Sequence, residues 1–341
     1  MYGIQTNWLP EHISCHHPSH VYWICTYQVA SALLAELHWR IVMSLIQLPP
    51  REDSVPAPKV TAQTLLDRKQ AHQPITALTA YDYSTARLVD QAGIDMVLVG
   101  DSLGMAVLGY DSTLPVTMDE MLHHTRAVRR AVRHALLVAD MPFGSYHSST
   151  GEAITNATRF IKEAGAEAVK IEGGRNRAQL VSTLTQSEIA VVGHIGLTPQ
   201  SVHRIGYRVQ GKSAAAIDDL IADAQALEAA GAIAIVLECV PREAGGLITS
   251  ALAIPTIGIG AGPECDGQIL VFHDLVNLTG AQPAKFVRRY ADASALITEA
   301  IQHYASDVRG GTFPADAESY HLPREAGAEL LAREPLKRSR R

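Results

Sequence analysis

The stretch AVKIEGGRNRAQLVSTLTQSEIAVVGHIG, residues 168–196, contains two short apolar runs separated by a longer, more polar segment. The runs AVKIEGG (168–174) and IAVVGHIG (189–196) have the length and the Val and Ile content typical of β-strands. Both are nearly continuous rather than alternating, as is typical of strands buried on both faces. The stretch therefore predicts a strand–helix–strand unit within a parallel sheet that helices cover on both sides.

The same pattern recurs along the chain from residue 60 onward. Six further runs are interpreted as strands: ITALTAYD (75–82), MVLVGDS (96–102), LLVADMPF (136–143), AIAIVLECV (232–240), IPTIGIGAG (254–262) and ILVFHDL (269–275). Eight strands with intervening helices over about 220 residues predict an α/β fold, a (β/α)8 TIM barrel. A doubly wound sheet is the alternative, because the sequence does not establish that the sheet closes. Helical segments at 60–71 and 283–303 are expected to flank the barrel.

Helix start and stop signals lie between the predicted strands. Thr117–Glu120 and Ser149–Glu152 have the pattern of capping boxes, in which a hydroxyl and a carboxylate satisfy backbone N–H groups reciprocally. Thr198 is expected to cap a helix that begins with Pro199. The periodic segment 215–231 ends at a glycine, which suits a helix C-terminus. These signals support an alternation of strands and helices.

The composition is that of a globular protein, with 47% hydrophobic and 19% charged residues among 341. The net charge of −6 gives no electrostatic reason to expect a nucleic-acid partner. The four cysteines have no CxxC spacing and are too few for a disulfide framework. A reducing, cytoplasmic environment suits such free cysteines, which are Cys15, Cys25, Cys239 and Cys265.

Residues 1–58 are expected to be an extension and linker outside the fold. The apolar stretch 21–35 is too short to span a membrane, and residues 1–20 contain no Lys or Arg for a signal peptide. Met43 is a candidate for the true translation start, whereas an amphipathic arm that packs on a neighbouring subunit is the alternative. The barrel domain is predicted at 59–321, and residues 322–341 are predicted to form a disordered basic tail.

Charged side chains occur where the predicted strands end. Because the active sites of TIM barrels lie at the carboxyl ends of the strands, these side chains are expected to converge at one mouth. A single carboxylate there would most often be a structural ion pair or a cap. Several like charges together raise one another's pKa and require a neutralising cation. In chain order the residues are Asp82, Asp101, Asp140, Lys170, Glu172, His194 and Glu238.

The residue types indicate which cation and which chemistry to expect. No Cys or His cluster has zinc spacing, and carboxylate oxygens suit Mg²⁺ or Mn²⁺. A 2-oxo acid can chelate such an ion, and polarisation of its keto group acidifies the adjacent C–H. Lys170 is expected to neutralise charge on the substrate or its enolate, and Glu238 is the candidate base. His194 is expected to line the pocket, with a buried core histidine as the alternative.

The segment GDSLG, residues 100–104, also fits the G-x-S-x-G pattern of a hydrolase nucleophile elbow, with Ser102 as nucleophile. Such an elbow needs a helix that begins at the serine, and no helix cap occurs before Thr117. The D-x-x-H pair of GDSL lipases is missing too, so Asp101 is expected to matter more than Ser102. The glycines of GIGAG, residues 258–262, match a dinucleotide fingerprint poorly; a phosphate cradle or tight loop packing are the other interpretations.

Several long segments resemble the ketopantoate hydroxymethyltransferase family of the phosphoenolpyruvate/pyruvate barrel superfamily. The resemblance extends from about residue 60 to His321, in the family's order and without large gaps. The segments are TAYDYSTARLVDQAGID (79–95), VGDSLGMAVLGYDSTLPVT (99–117), ADMPFGSY (139–146), VKIEGG (169–174), GHIGLTPQSV (193–202), LECVP (237–241) and IGIGAGPECDGQILV (257–271).

The resemblance implies transfer of a hydroxymethyl group from 5,10-methylenetetrahydrofolate to 3-methyl-2-oxobutanoate, giving 2-dehydropantoate for pantothenate and coenzyme A synthesis. It implies that Asp101 and Asp140 are magnesium ligands, with Glu172 a direct or water-mediated ligand. By the same resemblance the oxo acid binds at Asp101, Ser102, Asp140 and Lys170, and Glu238 accepts the proton. It further implies a cytoplasmic homo-oligomer, often a decamer, with no membrane segment.

Two other functions compete with this interpretation. A C–C lyase of the same superfamily would carry a KKCGH-like cysteine motif, which is absent from the sequence. A non-catalytic barrel that binds oxo acids is disfavoured, because all the expected catalytic and ligand positions retain suitable residues. One departure from the family is the segment 203–207, HRIGY, which lacks the second glycine that relatives usually have before Tyr207. This loop is therefore expected to differ from its counterpart in relatives.

Overall fold

Eight parallel strands close into a barrel in the structure, a computed structural model that describes residues 58–331. Strand order follows chain order, and β8 pairs with β1 through Ala77 and Ile269. The predicted TIM barrel is confirmed, and the doubly wound alternative is excluded by this closure. The strands are β1 (Ile75–Thr79), β2 (Met96–Val99), β3 (Leu136–Asp140), β4 (Ala168–Glu172), β5 (Val191–Gly196), β6 (Ala234–Glu238), β7 (Thr256–Ile259) and β8 (Gly267–Leu270).

The α-helices of the described residues cover the outside of the barrel or follow it in the chain. They are α1 (Ala62–Gln70), α2 (Tyr83–Gln91), α3 (Leu103–Ala106), α4 (Met118–Arg129), α5 (Thr150–Arg159), α6 (Ala178–Gln186), α7 (Val202–Ile205), α8 (Ala214–Ala229), α9 (Arg242–Ser250), α10 (Phe272–Leu275), α11 (Ala293–Gly310) and α12 (Arg324–Leu331).

The predicted helix signals are confirmed unevenly. Thr117 and Glu120 form a reciprocal capping box at the start of α4. Ser149 caps α5, but the expected return bond is replaced by one from the Ser148 hydroxyl to the Glu152 carboxylate. The prediction for Thr198 is wrong, since its side chain makes no cap hydrogen bond and a 3-10 turn follows. Short polar side chains thus mark helix starts more reliably than they specify individual bonds.

Two apolar layers form the core, one inside the barrel and one between the strands and the helices. Because side chains alternate along a strand, every second residue points inward. Leu98, Val138 and Val236 belong to the inner layer, whereas Val97 and Leu137 pack in the outer one. Both layers exclude water, which is why the strands are continuously apolar in sequence.

The number of paired residues differs from one pair of neighbouring strands to the next. Strands β5 and β6 are paired from Val192↔Ala234 to Gly196↔Glu238. Strands β7 and β8 share only the register pairs Ile257↔Gly267 and Gly258↔Gln268. The seam between β7 and β8 is therefore the shortest ladder of the closed sheet.

The chain after β8 differs from the prediction. The strand expected to reach residue 275 ends at Leu270, and the helix expected at 283–303 begins only at Ala293. Residues 276–292, here called the mouth loop, lie between them. The loop closes on itself, because Tyr290 N donates to Leu275 O and Ala293 N donates to Val276 O, each at 2.8 Å. The Asp292 carboxylate then caps the first turn of α11, which fixes a later helix start than the apolar pattern suggested.

The predicted domain boundaries stay predictions. The proposed extension and the candidate start at Met43 lie outside the described residues, which belong to one compact unit. Within the predicted disordered tail, the structure has helix α12, and the remaining tail residues lie outside the described range. Among residues 58–331, no helix is both long enough and apolar enough to cross a membrane.

Candidate active site

The alternation that builds the inner layer also places the site residues. Asp140, Lys170, His194 and Glu238 occupy inward positions at the carboxyl ends of β3, β4, β5 and β6. The register pairs Asp140 with Lys170 and brings the neighbouring strand ends level with them. The expected convergence at one mouth is therefore found. Asp82 is the exception, because it is exposed and caps α2 by accepting hydrogen bonds from Ser84 N and Thr85 N.

Asp101, Asp140 and Lys170 form the centre of the site. Asp101 N donates to Asp140 Oδ2 at 3.0 Å, so the turn after β2 is fixed to the end of β3. Lys170 Nζ lies 3.0 Å from Asp140 Oδ1 as an ion pair, although this oxygen has no well-aligned hydrogen-bond donor among the described residues. All three side chains are buried. The site thus holds charges that water does not screen.

The pKa values of this centre reveal an excess of negative charge. Burial raises the pKa of Asp101 well above its usual value, and the charges of Asp140 and Glu172 raise it further. Burial also raises the pKa of Asp140, although Lys170 opposes the shift. Burial alone would lower the pKa of Lys170, yet the surrounding carboxylates raise it. Lys170 alone does not offset the burial of the two aspartates.

Gln200, which was not predicted as a site residue, connects the Asp101 carboxylate to the Glu172 carboxylate. Its backbone N–H donates to Glu172 Oε2 at 2.9 Å, and its Nε2 donates to Asp101 Oδ2 at 2.8 Å. The Tyr146 hydroxyl donates to Gln200 Oε1 at 2.6 Å, which fixes the orientation of the amide. The only sequence signal was its position two residues after Thr198, in the loop that follows β5. Gln200 therefore holds the Asp101 and Glu172 carboxylates in place.

His194 connects Lys170 to Glu238. Its Nδ1 lies 3.1 Å from Lys170 Nζ and 3.5 Å from Glu172 Oε1, and its Nε2 lies 3.1 Å from Glu238 Oε2. Burial and Lys170 oppose the imidazolium form, but the two glutamates outweigh them and raise the pKa of His194 to about 9. For Glu172, burial favours the neutral acid, yet His194 and Lys170 lower its pKa overall. His194 is among the residues that line the cavity, although its side chain is almost fully buried; its role stays a prediction.

Ser102 lies in this cavity without the partners of a nucleophile. Its hydroxyl makes a 2.8 Å hydrogen bond with the Tyr81 hydroxyl, and no histidine contact is found among the described residues. A single helical turn, α3, directly follows Ser102, but the Ser102 side chain makes no cap hydrogen bond to it. A turn of this length without a neighbouring base does not make a nucleophile elbow.

The cavity has a volume of about 540 Å³ and opens at the carboxyl end of the barrel. Its floor holds the charged cluster, and its outer wall is largely apolar. Gly260, with a φ of +66°, lies so close to the Phe286 ring of the mouth loop that an added Cβ would be 2.8 Å from it. Of the three interpretations of GIGAG, this contact favours tight loop packing.

A complete metal site is not present among the side chains of residues 58–331. No three His, Cys, Asp or Glu side chains there converge closely enough to surround an ion by themselves. Asp101 and Asp140 nevertheless adjoin each other and the cavity. An ion bound at these two carboxylates would have to complete its coordination with water or substrate oxygens.

Comparison with known proteins gives closely related sequences. The sequence model of one family, described as ketopantoate hydroxymethyltransferase, matches residues 59–316. A 3-methyl-2-oxobutanoate hydroxymethyltransferase from Koribacter versatilis (strain Ellin345) is 67% identical over 273 residues, covering 80% of this chain and 92% of that protein. The enzyme of the same name from Gloeobacter violaceus (strain ATCC 29082 / PCC 7421) is 58% identical over 252 residues, covering 73% and 96%.

Solved structures with a similar fold are more distant in sequence. A phosphonopyruvate hydrolase in complex with oxalate and Mg²⁺ has a TM-score of 0.51 at 15% identity, covering 80% of this chain and 96% of that one. A phosphoenolpyruvate phosphomutase from Streptomyces platensis subsp. rosaceus has a TM-score of 0.51 at 17% identity, covering 79% and 94%. These similarities agree with the barrel architecture.

Proposed function

The chain belongs to the ketopantoate hydroxymethyltransferase family, and we propose that the charged cluster at its barrel mouth transfers a hydroxymethyl group to 3-methyl-2-oxobutanoate. The product is 2-dehydropantoate, which serves pantothenate synthesis. The donor is a one-carbon folate, specifically 5,10-methylenetetrahydrofolate. The observation that carries this proposal is the convergence of Asp101, Asp140, Lys170 and Glu238 around one cavity in a member of this family.

Mg²⁺ fits the donor set at the mouth. Burial, and for Asp101 the neighbouring carboxylates as well, raises the pKa of Asp101 and Asp140. A divalent ion would favour the charged form of both carboxylates. Oxygen ligands suit Mg²⁺, with Mn²⁺ as the alternative. Asp101 and Asp140 would hold the ion, and Glu172 would support it directly or through water. When bound, the ion polarises the keto group of the oxo acid and stabilises negative charge there.

Lys170 and Ser102 would bind the oxo acid beside these carboxylates. The ammonium group of Lys170 is buried and already faces Asp140, so it can compensate charge on the substrate carboxylate or on the enolate oxygen. The Ser102 hydroxyl is oriented by Tyr81 and is available to the substrate as a hydrogen-bond donor or acceptor. Because water is largely excluded from this floor, each such interaction is stronger than it would be at the surface.

Glu238 would remove the C3 proton of the oxo acid. It lines the cavity, and its side chain keeps 17% exposure, so it can reach a substrate bound on the floor. Its apolar strand suggested deeper burial than is found. His194, 3.1 Å away, holds the carboxylate in position and compensates its charge. C3 of the enolate formed by proton removal then bonds to the methylene carbon of the donor. One water molecule supplies the oxygen of the new hydroxymethyl group, and tetrahydrofolate leaves.

The same proposal extends to assembly and location. The exposed face of α11 carries Leu296, Ile301 and Tyr304, which are 69%, 60% and 58% exposed. Exposed apolar side chains on a helix are common where proteins contact one another, which supports a homo-oligomer, a decamer by family resemblance. Cys239 and Cys265, both free, suit the reducing cytoplasm. Light scattering after size exclusion tests the subunit number, and a single-subunit mass would contradict it.

A direct assay tests the reaction. Purified protein is incubated with 3-methyl-2-oxobutanoate and 5,10-methylenetetrahydrofolate, and 2-dehydropantoate is quantified with Mg²⁺, after chelation, and after Mg²⁺ return. We expect product only when Mg²⁺ or Mn²⁺ is present. Product formation that persists unchanged in chelator would refute the metal site, and no product under any of these conditions would refute the function.

A further inference from the structure

The cavity is larger than a small oxo acid requires. Cavities of about 300–1,000 Å³ typically enclose drug-sized ligands, and this one measures about 540 Å³. The buried charged cluster around Asp140 and Lys170 occupies only its floor, where the oxo acid would bind. The outer part of the cavity is therefore available to a second, larger ligand during the same reaction.

Two loops supply the outer wall, and both contribute apolar side chains that are at least partly exposed. Tyr207 and Val209 follow α7 and are 56% and 42% exposed. Across the mouth, Phe286 of the mouth loop is held against Gly260 at the end of β7. Aromatic and branched side chains that remain in contact with water around a cavity favour a flat, apolar ligand.

Each of these loops also carries a cation next to its aromatic residue. Arg208 adjoins Tyr207, Lys285 adjoins Phe286, and both line the cavity. Neither forms an ion pair with another described residue. By contrast, Arg242 on the same side of the barrel is paired with Glu264. The two rim cations are thus free to bind an anionic ligand.

We propose that Tyr207 and Phe286 bind the ring system of the folate donor and that Arg208 and Lys285 bind the carboxylates of its glutamate tail. This assignment rests on the proposed function. The donor carries its one-carbon unit near the pterin end, which must reach the oxo acid on the cavity floor. Its aminobenzoyl ring then lies in the apolar outer part, and its anionic tail reaches the rim. The order of floor, apolar wall and rim cations matches the order of groups along the donor.

Steady-state kinetics with donors of one and of several glutamates test the assignment. Exposed ion pairs contribute about 0.2–1 kcal/mol, so R208A and K285A should each raise the donor KM up to about fivefold. The double variant should raise it about 2–25-fold if the effects add, with kcat changed little. It should also lose the preference for the longer tail and the increase of donor KM with salt. F286A should raise the donor KM about 2–10-fold through lost ring contact.

The matched control is K212A, which removes an exposed lysine from the same segment but outside the cavity lining. It should leave the donor KM unchanged. Exchange of the C3 hydrogen of the oxo acid with deuterated water needs no donor and tests the proposed function separately. If the native protein fails to exchange, the proposed function is wrong. If the native protein exchanges and the double variant keeps the native donor KM, the proposed function stands and the folate assignment is wrong. A rise of the donor KM in R204A alone, which alters the neighbouring cavity, also overturns the folate assignment.

Discussion

Replacement of Glu238 by Gln tests the chemical step most directly. Gln keeps the size of the side chain and an oxygen that can accept a hydrogen bond from His194 Nε2, now 3.1 Å away. What it loses is the ability to take a proton. Because Glu238 adjoins none of Asp101, Asp140 and Lys170 by hydrogen bond or ion pair, binding of Mg²⁺ and of the oxo acid should be almost normal.

The expected loss follows from the role of the residue. A positioned acid or base typically contributes about 10²–10⁴-fold to a proton transfer, so exchange of the C3 hydrogen should slow by about that factor. A second effect follows from the charge. Glu238 is one of the two glutamates that raise the pKa of His194 to about 9, so its neutralisation removes support for the imidazolium. The imidazolium form of His194 should therefore be lost at a lower pH in the variant.

NMR spectroscopy measures both quantities. Exchange of 3-methyl-2-oxobutanoate is followed in deuterated water with Mg²⁺ present, the oxo-acid Kd is determined by calorimetry, and His194 is titrated through its ring protons. Glu243→Gln serves as the matched control, because Glu243 is an exposed carboxylate on α9 outside the cavity lining. Exchange by Glu238→Gln within threefold of the native rate, with unchanged binding, would assign the base to another group.

Three further variants separate the remaining roles. Asp140→Asn should remain folded but lose activity that added Mg²⁺ fails to restore, and recovery to native turnover would exclude Asp140 as a ligand. Ser102→Ala should weaken oxo-acid binding by about 0.5–1.5 kcal/mol, the contribution of one hydrogen bond, whereas labelling of Ser102 by a serine-directed phosphonate would revive the hydrolase interpretation. Gly196→Ala should lower the free energy of unfolding by about 1–3 kcal/mol in urea denaturation, because φ is +92° and an added Cβ would lie 2.3 Å from Glu238 O. A decrease below 0.5 kcal/mol would show that the ends of β5 and β6 can separate there.

The parts of the fold that sequence predicts well are those decided by burial. Continuous apolar runs such as 136–143 mark strands covered on both faces. A charged residue at the carboxyl end of such a strand therefore lies at the barrel mouth. Asp140, Lys170 and Glu238 are predicted correctly in position for this reason. Their assigned roles depend on chemistry that burial does not determine, and these roles stay predictions.

The parts that sequence predicts poorly depend on contacts between distant segments. Gln200 looks like an ordinary loop residue until β2 and β4 bring Asp101 and Glu172 within reach of its amide. The mouth loop has helical composition from residue 283 onward, yet backbone bonds at its two ends and the Asp292 cap delay the helix. Local propensity is overridden in each case by partners that lie far away in the chain.

The short ladder between β7 and β8 is the place where the barrel sheet should open most easily. Sheets open locally where the fewest backbone bonds must break, and here that is the seam held by Ile257↔Gly267 and Gly258↔Gln268. The strands that bear Asp140, Lys170 and Glu172 lie away from this seam, whereas the mouth loop follows β8 after the single-turn helix α10. Local opening is therefore expected at this seam, next to the rim, while β3, β4 and β5 keep the register that aligns Asp140, Lys170 and His194. The proposed folate donor could then enter and leave at the rim while the charged floor keeps its structure.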